Sequence, residues 1–319
     1  MSEQLTQKRP LVSIGVPTYN RPDMLDRTLE RVCAQTWQEL EIIVSDNAST
    51  DPRSAEVIEK WVQRDPRVRA HRQPSNQGPL PNFYFVLQQA NAEWFMWAAD
   101  DDYLAPWFVE RCMQVLLSDE RNVLCTAETQ YVHNDGSPMS ALPQGEAYRK
   151  PSGLDRLGRM TYLLRHNFDN LIYGLFRKDA LIHDGQILWN VTSSLSNNEI
   201  PPLLLAAMRG EIIVLPEAGI YKTAAPSVWA QAEWEERGGV IPATSRIRNM
   251  ASLRATWRYH DAVIQGITHA LGQLNLPEGE RKQLASIARK RILKHFVWMV
   301  VRYKPPKPRL STDDQGQAC

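Results

Sequence analysis

Three short apolar runs in the first third of the chain each end in a cluster of small polar or acidic residues, with helical spacing between them. Leu11 to Pro17 runs into Thr18-Tyr19-Asn20-Arg21. Glu41 to Ser45 runs into Asp46-Asn47-Ala48-Ser49-Thr50-Asp51, and Glu93 to Ala99 into Asp100-Asp101-Asp102. Between them, Asp23 to Gln35, Ser54 to Gln63 and Asn82 to Ala92 carry apolar residues at helical spacing, and Val68 to His71 reads as a further short strand. Such alternation predicts an α/β fold with a mostly parallel sheet and right-handed crossovers. Open sheets of that kind bind ligands beyond the carboxyl ends of their strands, where all three polar clusters fall.

The clusters differ in the chemistry they offer. Three adjacent carboxylates at Asp100, Asp101 and Asp102 repel one another unless a cation, a basic group or water compensates them. A hard cation such as Mn²⁺ or Mg²⁺ would do so and would keep positions open for phosphate oxygens. A solvated acidic turn or helix cap accounts for the same residues. The carboxylate of Asp46, beside Asn47, can accept hydrogen bonds from a base or ribose, or close an Asx turn. Pro17, Thr18, Tyr19 and Arg21 bring a hydroxyl, an aromatic face and a guanidinium suited to a nucleotide and its diphosphate, or simply cap a helix.

The order of these elements is more specific than any one of them. Val12 to Arg21, Ile42 to Asp51, Asn76-Gln77-Gly78 with Asn82, and the aspartate triplet together resemble family 2 glycosyltransferases of the GT-A fold. The resemblance is strong over roughly residues 11 to 110 and weaker to about residue 222. It implies a Rossmann-like sheet flanked by helices, a nucleotide-diphosphate sugar donor and a divalent metal. It implies that Pro17, Tyr19 and Asp46 contact nucleobase and ribose, and that Arg21, Asn76 and Gly78 lie near the nucleotide or diphosphate. Aligning Pro106 with the family's usual proline puts Asp100 on the ribose side and Asp101 on the metal. Asp102 is then a second ligand or an outer-shell group. Ala99 stands where the commoner motif has its first aspartate, so the register stays open by one residue.

The family also carries an acidic catalytic residue at a helix start. Asn197-Asn198-Glu199-Ile200, ahead of Leu203-Leu204-Leu205, matches that segment and implies Glu199 as general base on an acceptor hydroxyl. An ordinary acid favoured by a helix N-terminus is the plainer reading. Inverting transfer to a saccharide or lipid-linked saccharide, in bacterial surface polysaccharide or glycoconjugate synthesis, follows from the resemblance. A non-catalytic nucleotide-sugar-binding scaffold is the alternative. A sugar-phosphate nucleotidyltransferase fits less well, because that class has a Gly-rich loop where this chain has Pro-Thr-Tyr-Asn-Arg.

The second half is mixed. Val123 to Val132 and Leu171 to Arg177 read as strands, Asn134 to Pro138 as a turn, Ile200 to Met208 as a helix and Ile212 to Pro216 as a short strand. Thr223 to Pro242, with Trp229, Trp234 and Gly238-Gly239, reads as a mobile loop that can close over substrate. Trp94, Trp97 and Trp107 read as core rather than sugar platforms. Arg246 to Leu271 and Glu278 to Tyr303 read as long helices, giving a GT-A domain over 1–243 and a helical appendage over 244–319.

A net charge of +1 excludes a general nucleic-acid binder. Four scattered cysteines and a polar N-terminus, with no apolar run of spanning length, lead to an expectation of a cytoplasmic protein. From Arg281 to Arg309 there are ten Lys or Arg residues and no Asp or Glu. Leu293, Phe296, Val297, Val300 and Val301 keep helical spacing within that stretch. Such a stripe either lies on an anionic membrane at its inner, cytoplasmic face or packs on the domain.

Overall fold

The computed structural model describes residues 9–132, 151–166, 169–188, 199–223 and 250–301. In chain order its elements are β1 (Val12–Thr18), α1 (Pro22–Cys33), β2 (Leu40–Asp46), α2 (Pro52–Arg64), β3 (Val68–Arg72), α3 (Pro79–Gln88), β4 (Trp94–Trp97), β5 (Asp102–Leu104), α4 (Phe108–Ser118) and β6 (Asn122–Val132). There follow α5 (Arg156–His166), a 3₁₀ turn (Asp169–Tyr173), β7 (Leu175–Arg177), a second 3₁₀ turn (Lys178–Leu181), the hairpin β8 (Ile182–His183) and β9 (Gln186–Ile187), α6 (Ile200–Arg209), β10 (Glu211–Thr223), α7 (Met250–Gln273) and α8 (Glu278–Val301). The turn expected at Asn134 to Pro138 lies outside the described residues, as does all but the first residue of the expected loop Thr223 to Pro242.

Eight strands form one sheet in the order β3-β2-β1-β4-β7-β6-β10-β5. The first four are parallel, as strand–helix alternation demands, with Thr18 opposite Asp46 and Asp46 opposite Arg72. The second half is mixed: β7 runs antiparallel to β4 and β6, and β5 antiparallel to β10. Leu171 to Arg177 is therefore a 3₁₀ turn followed by a three-residue strand, not one strand. The strand expected at Ile212 to Pro216 instead continues to Thr223, because β6 pairs along its length and β5 pairs with Ile220 to Lys222.

Both faces of β1 and β4 are covered, so these strands are buried throughout, whereas the edge strand β3 alternates between buried and open positions. Val12, Ile14, Val16, Ile42, Val44, Trp94 and Met96 pack under α1, α2 and α4. Ile43, Phe95 and Trp97 face α3, α5 and α6 on the other side, and the same buried cluster takes in Val263 and Ile267 of α7 and Leu284, Ala288 and Ile292 of α8. Trp94 and Trp97 are thus core, and the Trp97 indole donates to the Phe83 carbonyl at 2.9 Å. Gly15 permits the close approach of α3: a Cβ there would lie 2.6 Å from Val86 Cγ2.

Prolines mark helix starts. α1, α2, α3 and α6 each have proline in the first helical positions, where the missing N–H costs nothing. Asp51 caps α2 by accepting from the Arg53 amide at 3.0 Å. Among the described residues, no helix is long and apolar enough to cross a membrane. In α8 the inward row is Leu284, Ala288 and Ile292, and Phe296 packs edge-on to Trp257 and His260. Of the stripe read from the sequence, Leu293 is half-buried and Val297 is 55% exposed. The residues from 302 to 309 lie outside the described residues.

Candidate active site at the carboxyl ends of β1, β2 and β4

The strand order reverses between β1 and β4, the point at which open sheets of this kind form a ligand-binding crevice at the strands' carboxyl ends. Thr18 closes β1 at this crevice, and Asp100 and Asp101 follow β4. The Thr18 hydroxyl donates to Asp100 Oδ2 at 2.8 Å, and both side chains are buried. Arg21 lies just before α1 and reaches across, its Nη1 3.0 Å from Asp100 Oδ1 and 2.8 Å from Asp101 Oδ2. Both oxygens of Asp100 are therefore engaged by the protein, whereas the Asp101 side chain is 41% exposed.

Burial pushes the Asp100 carboxyl up to about 6, with Arg21 opposing the rise and Asp101 adding to it. Asp102 points elsewhere. As the first residue of β5 it is buried, with Lys222 of β10 at 3.0 Å, and the Lys222 ammonium sits 4.3 Å over the Tyr173 ring. Burial pushes Asp102 up to about 7, with Lys222 opposing and the neighbouring aspartates adding. The Thr28 hydroxyl, on α1, donates to the Asp102 carbonyl at 2.9 Å and ties α1 to β5. The three carboxylates are thus divided between two basic partners rather than clustered.

One strand over, Asp46 ends β2. Its Oδ1 accepts from the Ser49 amide at 2.9 Å, and its Oδ2 pairs with Arg72 at the end of β3. Arg72 also donates to the Ser49 carbonyl at 2.8 Å. Asn47 clamps the next loop, donating to Asn76 Oδ1 at 2.8 Å and to the Gly78 carbonyl at 3.0 Å, and accepting from the Gln77 amide at 3.1 Å. Gly78 takes φ 85°, a left-handed conformation that glycine adopts without strain. Asn20 latches the β1 and β2 loops together, its Oδ1 accepting from the amides of Thr50 at 2.7 Å and Asp51 at 3.1 Å. Pro17 pairs with Ser45 inside the sheet, and Tyr19 is half-buried at its rim.

The structure thereby brings Pro17, Thr18, Tyr19, Arg21, Asp46, Asn47, Asn76, Gly78, Asp100 and Asp101 to one edge of the sheet. Asp46 and Asp100 lie two strands apart, roughly 10 Å at the usual strand spacing, with Thr18 between them. Glu199 occupies the position just before the first residue of α6 and is half-buried. α6 leads through Gly210 into β10 and packs against it. Asn197 and Asn198 lie outside the described residues.

Sequence reading missed Arg72, Lys222 and Tyr173. Arg72 could have been found by counting along β3 in parallel register with Asp46, but nothing near Lys222 in the chain points to Asp102.

Among the described residues no three His, Cys, Asp or Glu side chains converge on a ready-made metal cage. The donor set still suits Mn²⁺ or Mg²⁺, which accept one or two protein carboxylates and complete their shell with water and phosphate oxygens. Asp101 is the exposed carboxylate that fits this role.

Comparison with known proteins agrees with this geometry. The family model for glycosyl transferase family 2 matches residues 13–181, more than half of the chain. An uncharacterized glycosyltransferase of Haemophilus influenzae is 31% identical over 110 residues, covering 34% of this chain and 44% of that protein. A GalNAc(5)-diNAcBac-PP-undecaprenol beta-1,3-glucosyltransferase of Campylobacter jejuni is 34% identical over 106 residues, 33% of this chain and 34% of that one. The chain thus matches less than half the length of these curated relatives. S. aureus TarS in complex with UDP-GlcNAc superposes with a TM-score of 0.64 at 18% identity, covering 92% of this chain and 74% of that one. A Pyrobaculum calidifontis mannosyltransferase in complex with GDP-Man and Mn²⁺ gives 0.53 at 14% identity, covering 92% and 75%. At such identities these two structures speak to the fold, which is GT-A.

Proposed function

The chain belongs to glycosyl transferase family 2 and is a glycosyltransferase, and from that premise we propose that it transfers a sugar from a nucleotide diphosphate to an acceptor hydroxyl with inversion. The observation that carries this reading is the crevice between β1 and β4, where Thr18, Arg21, Asp100 and Asp101 converge beside the Asp46–Arg72 pair. Asp46 and Arg72 offer an acceptor and a donor to a base edge, and Asp100 is held where a ribose would follow. Arg21 suits the diphosphate.

Glu199 acts as the base. It takes the proton of the acceptor hydroxyl, whose oxygen bonds to the anomeric carbon as the bond from that carbon to the diphosphate oxygen breaks. The nucleoside diphosphate leaves carrying the electron pair. Asp101, with Asp100 behind it, would hold a divalent cation whose chemistry, when bound, is to neutralise charge on the departing diphosphate.

The TarS complex with UDP-GlcNAc makes UDP-sugars the first donors to try, and the undecaprenol-linked substrate in the Campylobacter enzyme's name favours a lipid-linked saccharide acceptor. Membrane contact would then fall to Trp257 and Val297, which are 43% and 55% exposed, beside the exposed Arg254, Arg258 and Lys294.

The test is transfer from labelled sugar nucleotides to lipid-linked and free saccharides, with Mn²⁺ and with chelator. Asp101→Asn is expected to lower turnover at least ~10²-fold, as loss of a key electrostatic stabiliser does. Full activity of Asp101→Asn or in excess chelator overturns the metal assignment. Failure of every donor to bind overturns the donor assignment.

A further inference from the structure

Arg21 stands in the space that a cation on Asp101 would use. A single nitrogen, Nη1, bridges Asp100 Oδ1 at 3.0 Å and Asp101 Oδ2 at 2.8 Å. We infer that Arg21 is the resident counter-cation of the nucleotide-free site, and that an incoming diphosphate draws it off Asp101, so that nucleotide and divalent metal bind cooperatively. This rests on the assignment of Asp101 as the metal ligand.

The geometry favours displacement, because Arg21 already holds Asp101 Oδ2. A divalent ion of this class sits about 2.0–2.2 Å from its carboxylate oxygen. A guanidinium nitrogen already within 3 Å of the same carboxylate would face it at close range with like charge. Two cations cannot share Asp101 cheaply while Arg21 keeps its bridge. A diphosphate resolves the conflict, because it adds negative charge and offers the guanidinium paired oxygens in the fork geometry that arginine matches.

The chain is built for such a swing. The backbone on both sides of the Arg21 arm is pinned. The Arg21 carbonyl accepts from the Leu25 amide at 2.9 Å as the first bond of α1, and Pro22 fixes the following φ. On the other side, Asn20 is held by the Ser49 hydroxyl at 2.8 Å and by the Thr50 and Asp51 amides. Beyond that fixed pivot runs a long side chain with several rotatable bonds, partly open to solvent. Asp100, by contrast, does not lose all support when Arg21 leaves, because Thr18 still donates to its Oδ2. The pocket can therefore exchange guanidinium for metal on Asp101 without stranding the buried carboxylate.

Titration of Mn²⁺, followed by loss of the free-ion electron paramagnetic resonance signal, reads this directly. Wild type, Arg21→Gln and Arg21→Lys are each titrated alone and with UDP, GDP or dTDP. Wild type is expected to bind Mn²⁺ roughly tenfold more tightly with its nucleotide than without, within the span usual for coupled sites. Arg21→Gln is expected to bind Mn²⁺ alone about tenfold more tightly than wild type and to lose most of the nucleotide enhancement. Arg21→Lys, which keeps the charge but not the fork, should fall between them. Thermal unfolding in chelator checks that each variant is folded. The inference is overturned if folded Arg21→Gln binds Mn²⁺ alone no more tightly than wild type while wild type shows nucleotide enhancement. It is overturned equally if wild type binds Mn²⁺ just as well without nucleotide. Absence of Mn²⁺ binding by wild type in any state defeats the metal assignment itself, a different and recognisable outcome.

Discussion

Replacing Lys222 with methionine removes an ammonium from a buried pair while keeping most of its aliphatic volume. Its partner Asp102 is buried, and its carboxyl is already pushed up to about 7 with Lys222 3.0 Å away. The folded value lies above the unfolded one, so folding takes up protons. Stability from this group is fully present below the unfolded value near 3.8 and is lost as pH rises toward 7. Above 7 the wild-type carboxylate ionises in place and the loss levels off. Without Lys222 it must stay protonated to higher pH, and each further unit costs the variant about 1.4 kcal/mol relative to wild type.

The difference between the two proteins should therefore be about 1 kcal/mol or less at pH 6, mostly the lost contact between Lys222 and the Tyr173 ring. By pH 9, two units above the wild-type value, it should grow by about 3 kcal/mol. Urea unfolding in chelator at intervals from pH 5 to 9 measures it. The double variant Lys222→Met with Asp102→Asn should show no such growth, since the titrating group is gone. A gap between wild type and Lys222→Met that stays constant across this range refutes the ion-pair account of Asp102.

Other consequences are quicker to check. Glu199→Gln should bind donor as wild type does in calorimetry yet transfer sugar at least ~10²-fold more slowly, and near-normal turnover would remove Glu199 as base. Ala48 holds φ 61° in the loop after β2, so Ala48→Gly should raise stability by up to about 1 kcal/mol in denaturant titration, and destabilisation would show that its methyl matters more than its backbone. His260 donates Nδ1–H to the Thr256 carbonyl at 2.7 Å, which leaves its Nε2 to accept from His295 Nδ1 at 3.1 Å. Burial lowers both imidazoles, with Arg291 adding to the effect at His295, so stability from this pair is present above the usual value near 6.5 and lost as pH falls through the lowered ones. His295→Gln should flatten that acid-side loss, and an unchanged pH profile would contradict it.

Much of the site was legible in the sequence because it is local. Thr18, Asp46 and Asp100 stand where apolar runs stop, and parallel sheets place such stops at one edge by topology alone. The β1 to β4 half follows from strand–helix alternation for the same reason. Helix starts at Pro22, Pro52 and Pro79 were written in the chain as well, since proline suits the first turn of a helix and not its interior, yet apolar periodicity by itself begins each helix one to three residues late.

What tertiary structure decided is long-range. Asp100-Asp101-Asp102 reads as one acidic cluster in the sequence, but β5 starts at Asp102 and turns its side chain to Lys222, which is 120 residues away, while Arg21 takes the other two. No local pattern encodes which base neutralises which acid, because the pairing comes from β10 lying antiparallel to β5. The length of β10 and the division of Leu171 to Arg177 into a turn and a short strand are likewise set by strand neighbours rather than by propensity. The inward row of α8 at Leu284, Ala288 and Ile292, offset from the stripe that its spacing suggested, was chosen by the helices already packed against it.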